Sequence, residues 1–72
     1  MNIWEYEGKQ VEIRLFTGKV FTGKVVEYTS KLDNEFSEYK PGIASIAIGD
    51  YELYEDEIET ITVVAQVKPN NH

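Results

Sequence analysis

The chain has no cysteine, one histidine, two prolines and one tryptophan in 72 residues. Without cysteine there is no disulfide, no thiolate zinc site and no cysteine nucleophile, so stability must come from packing alone. The lone histidine, His72, ends a polar stretch and is a poor candidate for a metal ligand or a general base. Cations are scarce too. Seven Lys and Arg face thirteen Asp and Glu, a formal net charge of -6, which argues against broad electrostatic attachment to nucleic acid or anionic lipid. No run approaches the roughly 20 apolar residues of a membrane span. The opening Met1-Asn2-Ile3-Trp4-Glu5 has neither the basic start nor the apolar stretch of a signal peptide. The expectation is a soluble, cytoplasmic protein without a membrane partner.

What is present suits one small domain: 42% apolar and 28% charged side chains. A chain this short buries only about 60% of its unfolded surface, so a catalytic cleft would compete with the core for residues. Carboxylates abound, but acid/base hydrolysis needs two of them held at fixed separation beside a substrate. Glu55-Asp56-Glu57, with Glu52 and Glu59 near, lacks calcium-loop spacing and reads as a solvated acidic turn. No enzyme, metal or cofactor is expected. The acidity is uneven: through Lys31 there are five basic and four acidic residues, and from Leu32 onward two and nine.

Apolar periodicity gives the elements. After an N-terminal arm (residues 1–8) carrying Trp4 and Tyr6, Val11-Glu12-Ile13-Arg14-Leu15 alternates as a half-buried strand does. Phe16-Thr17-Gly18-Lys19 reads as a hairpin turn, and a second strand runs from Val20 to about Tyr28. In that strand Phe21, Gly23 and Val25 share one phase while Val26 and Tyr28 share the other, which predicts a bend or bulge between Gly23 and Val26. Residues 29–42 read as a long loop, with Leu32, Phe36 and Tyr39 available to pack it down. Ile43 to Ile48 and Tyr51 to Tyr54 flank Gly49-Asp50 as a tight hairpin. A single 3₁₀ turn at Glu55 to Glu57 accounts for the spacing of Ile58 and Ile61, after which Ile61, Val63, Ala65 and Val67 alternate. Residues 68–72 read as a disordered tail. Five short strands over residues 9–67 predict an all-β, strongly bent small barrel.

Two motifs carry a family resemblance. Val11-x-Ile13-x-Leu15-x-x-Gly18-x₄-Gly23-x-Val25 resembles the first motif of the Sm-like (LSM) barrels. Leu53 to Ile61 is similar to the Tyr-Lys-His-x-Ile-x-Thr-Val segment of the bacterial Hfq-type Sm proteins, with Tyr54, Ile58 and Thr60 matching and Ile61 replacing valine. The resemblance implies rings of six or seven subunits, closed by pairing the fourth strand of one with the fifth of the next. It places Tyr51, Leu53, Tyr54, Ile61 and Val63 at that interface. It also implies binding of single-stranded, uridine-rich RNA by the loop after the bent strand and by the second motif. There the family's cations are replaced by Glu55 and Asp56, which repel phosphate. In the first motif Thr29, Lys31 and Asp33 fall where the family has Asp, an aromatic and Asn, with Asn34 one place late.

Three functional expectations follow. In the first, a ring binds single-stranded RNA with Lys31, Asn34 and Tyr54 on the bases and Lys19 and Lys24 on the backbone. In the second, a non-catalytic scaffold or protein-interaction module uses an acidic rim to recruit a basic protein and binds no RNA. In the third, an SH3-like monomer holds a peptide between its long loops.

Overall fold

Strict alternation in the first strand, β1 (Gln10–Leu15), puts Val11, Ile13 and Leu15 inside and their polar neighbours outside, as the sequence predicts. In this computed structural model, which describes residues 2–64, β1 is the centre of one sheet half, with β2 (Val20–Thr29) on one side and β5 (Ile58–Val63) on the other. β2 continues into a second half with β3 (Ser45–Ile48) and β4 (Tyr51–Tyr54). All pairings are antiparallel, in the order β4-β3-β2-β1-β5, which makes a five-stranded, strongly bent, barrel-like sheet with only 3₁₀ turns beside it. No helix among the described residues is long and apolar enough to cross a membrane.

The bend is where the two phases of β2 predict it. Val25 pairs with Ile48 and Glu27 with Ala47, so Val26 is the extra residue of a β-bulge and points out. Past the bulge Tyr28 returns to the inner face opposite Ile46, partly buried against the core. Gly23 permits the fold to close: a Cβ built there would lie 2.7 Å from Ile48 Cγ2. A second bulge leaves Glu59 unpaired, because Arg14 faces Thr60 while Leu15 faces Ile58.

The expected turns are present. Gly18 takes a φ of 93° in the β1–β2 turn, Gly49-Asp50 joins β3 to β4, and Glu55–Glu57 forms the 3₁₀ turn into β5. The core is Val11, Ile13, Leu15, Val25, Ala44, Ile46, Ile48, Leu53 and Ile58, plus one residue from the N-terminal segment. Ile3, on a 3₁₀ turn at Ile3–Tyr6, is fully buried, so residues read as an arm contribute to the core. Ala65, Val67, His72 and the tail at 68–72 lie outside the described residues.

One expectation is corrected. Of Leu32, Phe36 and Tyr39, only Tyr39 reaches the barrel, its ring against Tyr54 at 5.4 Å between centroids, while Leu32 and Phe36 are 81% and 91% exposed. Polar groups hold the rest of the loop. Asn34 Nδ2 donates to the Ile43 carbonyl at 2.7 Å, and the Gly42 amide donates to the Asn34 carbonyl at 3.0 Å. Spacing alone could not reveal this, since a turn-rich segment can satisfy its backbone from within and needs no apolar anchor.

The close approach at Gly23 is directly testable. Gly23→Ala is expected to lower stability by about 1–3 kcal/mol, as overpacking does, seen as a lower urea midpoint at unchanged slope. A variant as stable as the parent would contradict the contact with Ile48.

Candidate functional site

The Glu55–Glu57 turn lies where three connections meet. Register puts Thr29, Ser45 and Tyr54 side by side at one end of β2, and Leu15, opposite Ile58, beside the other end. The turn spans the two. Its Glu57 carbonyl accepts from the Phe16 amide of the β1–β2 turn at 3.1 Å, and the Glu55 amide donates to the Ala44 carbonyl at 2.9 Å. Because β2 bends, the β1–β2 turn, the long loop and the acidic turn share one end of the barrel.

Lys40 latches loop to turn. Its Nζ donates to Asp56 Oδ1 at 2.9 Å and Oδ2 at 3.2 Å, lies 3.5 Å from Glu57 Oε1, and sits over the rings of Tyr39 and Tyr54. The hydrogen bond to Asp56, with Glu57 adding, raises its pKa against the opposing effect of desolvation. The arrangement is mostly exposed, so it positions the loop more than it stabilises the fold. It also occupies a cation that could otherwise meet a phosphate.

Beneath the latch, the rings of Tyr39 and Tyr54 pack at a tilt of 58° with centroids 5.4 Å apart. Tyr54 is buried; its hydroxyl donates to Glu52 Oε1 at 3.1 Å, while Ser45 Oγ donates to Glu52 Oε2 at 2.7 Å. Burial, then the Glu52 carboxylate, raises the Tyr54 pKa. Beside this network a shallow groove of about 190 Å³ runs along the outer face of β2, β3 and β4, with Glu27, Asp50 and Glu52 on its walls. It is acidic. Among the described residues no group of three or more His, Cys, Asp or Glu could hold a metal ion.

The RNA candidates are dispersed. Lys31 is exposed at the start of the long loop and Lys19 is exposed in the β1–β2 turn, both at the acidic end. Lys24 pairs with Gln10 at the opposite end of the β1–β2 ladder. Asn34 Nδ2 donates to the Ile43 carbonyl, and the Tyr54 ring is buried beside Tyr39. Of the interface candidates, Leu53 points into the core, Tyr54 lies on the other face of β4, buried beside Tyr39, Ile61 is half-buried, and Tyr51 and Val63 are exposed.

The Ser45, Glu52 and Tyr54 cluster is missing from the sequence reading, although the two-residue Gly49-Asp50 turn implies it. That turn fixes Ser45 opposite Tyr54 and Ala47 opposite Glu52, all on one face. The Lys40 latch left no such signal. Comparison of the chain with protein-family models, with curated proteins and with solved structures finds no match.

The Tyr54 environment has a pH signature. A phenol whose pKa is higher folded than unfolded contributes stability that is complete below the unfolded value, near 10. That contribution is lost as pH rises through the folded value. Tyr54→Phe is therefore expected to flatten the fall in stability above about pH 10, measured by urea melts at stepped pH. An equally steep fall in the variant would place the responsible group elsewhere.

Proposed function

We propose that this chain is a non-catalytic, ring-forming small barrel of the Sm-like type, in which β4 of one copy pairs with β5 of the next. One observation carries the reading: at both open edges, side chains in the inward phase remain exposed. On β5, Ile61 and Val63 face the same way as their partners Ile13 and Val11, which are fully buried, yet Val63 is 51% exposed. On β4, Tyr51 shares the phase of buried Leu53 but is 61% exposed, resting on Phe21 at 5.0 Å between centroids. β3 and β1 occupy one side each of β4 and β5, and among the described residues nothing pairs with the other sides.

Two unlike edges on one subunit make a head-to-tail contact, and a contact of that kind closes into a ring if its rotation permits. Strand addition would satisfy the bare backbone groups, and the neighbour would cover Val63 and Tyr51. A ring of six or seven follows from the resemblance. Absence of cysteine suits a reducing compartment, so the proposal locates the protein in the cytoplasm.

Single-stranded RNA is the second reading, favoured by exposed Lys19 and Lys31 at the loop end of the barrel. Against it stand the carboxylates Glu55, Asp56 and Glu57 and the commitment of Lys40 to two of them. Assembly without uridine-type RNA binding is the reading the geometry supports best.

Light scattering during gel filtration is expected to give six or seven times the 8.3 kDa chain mass. Val63→Lys and Tyr51→Lys, both at exposed positions, are expected to return the mass to that of the monomer. A parent that stays monomeric would overturn the ring, and variants that assemble unchanged would overturn these edges. In fluorescence anisotropy at low salt, uridine-rich and adenine-rich oligonucleotides are expected not to bind; saturable, salt-sensitive binding would establish the RNA reading instead.

A further inference from the structure

The long loop inverts the usual arrangement of polar and apolar groups. Asn34 is turned in, with its amide on Ile43, while Leu32 and Phe36 on either side of it are turned out, 81% and 91% exposed. The turn presenting them is braced. The Asn34 amide N–H donates to the Ser30 carbonyl at 3.0 Å, Glu35 to Leu32 and Ser37 to Asn34 each at 3.2 Å, and the Asp33 amide to Ser30 Oγ at 3.2 Å. Residues 31–36 thus form successive tight turns, with Leu32 and Phe36 both held on their exposed side. Lys40 fixes the far end of the loop to Asp56.

Leaving a leucine and a phenylalanine in water forgoes the gain that burying them would bring. A turn with its backbone already ordered keeps little entropy still to lose on binding, which suits it as a docking element. The surrounding charge indicates the partner. Asp33, Glu35 and Glu38 are all exposed around Phe36, against Lys31 alone, and the acidic turn at Glu55–Glu57 lies beyond the latch. This surface would repel a second copy of itself, nucleic acid and anionic lipid alike.

We infer that the Leu32–Phe36 turn is a protein-docking site whose partner presents an apolar groove or stripe rimmed by Lys and Arg. Leu32 and Phe36 enter the apolar part as anchors. Asp33, Glu35 and Glu38 pair with the basic rim and set orientation and on-rate. The site is complete on one subunit and does not depend on the ring; if the ring forms, it is displayed once per subunit and gains avidity.

The test uses the full chain and a defined probe, a fluorescent amphipathic helical peptide of leucine and lysine, with a leucine and glutamate peptide of the same pattern as control. Saturable anisotropy is expected with the basic peptide only. Leu32→Ser with Phe36→Ser is expected to weaken it by about tenfold or more, with the melting temperature unchanged because both positions are exposed. Asp33→Asn, Glu35→Gln and Glu38→Gln together are expected to lessen its salt dependence. Failure of the basic peptide to bind, or binding indifferent to Leu32 and Phe36, would overturn the inference. So would a drop in the chain's own assembled mass in the Leu32/Phe36 variant, which would make the occupant a second copy. The edge variants Val63→Lys and Tyr51→Lys are expected to bind the peptide still, so failure of the ring and failure of this site are separable.

Discussion

The backbone of β2 at Gly23 lies so near the side chain of Ile48 on β3 that a Cβ there would come within 2.7 Å of it. Among the described residues β2 is the only strand shared by both halves of the sheet, and it passes from one to the other at the Val26 bulge. Without the bend, the inner face of β1 and that of β3 could not enclose one core. With it, Val11, Ile13, Val25, Ile46 and Ile48 meet, and Ile3 joins them from the N-terminal 3₁₀ turn.

Bending one sheet over its own face has two costs that define the surface. The outermost strands, β4 and β5, keep bare edges, and inward-phase residues near them, Tyr51 and Val63, stay uncovered. Three of the connections also gather at one end, where acidic side chains crowd around Glu55–Glu57 and Lys40 ties the long loop to them. Tyr51 and Val63 lie at the ends of β4 and β5 away from the acidic Glu55–Glu57 turn that joins the two strands. Assembly and recruitment can therefore be separate properties of one small domain.

Much of the scaffold was legible in the sequence because it is dictated locally. Alternation in Val11 to Leu15, the phase change between Val25 and Val26, the Gly49-Asp50 turn and the single turn at Glu55 to Glu57 each follow from a few neighbouring residues. What escaped depends on contacts across the fold. Leu32 and Phe36 read as loop anchors by hydropathy, yet Asn34 does that work through the Ile43 carbonyl nine residues on. The Lys40 to Asp56 pair joins residues 16 apart through a loop of no fixed period. Ile3 precedes any strand and has no phase to betray its burial. Asn34 and Tyr54, the candidate base-reading residues, also make contacts that spacing does not show: the Asn34 side chain donates to Ile43 and the Tyr54 hydroxyl to Glu52.

The central claim is that β4 and β5 are unfinished edges completed by other copies of the chain. Hydrogen exchange at single-amide resolution tests it most directly, because protection of outward amides requires a partner strand. At high protein concentration, outward amides of Tyr51–Tyr54 and Ile58–Val63 are predicted to exchange as slowly as those pairing β1 with β2, and to lose that protection in Val63→Lys. Rapid exchange along both edges at every concentration, with the β1–β2 amides protected, would contradict the account.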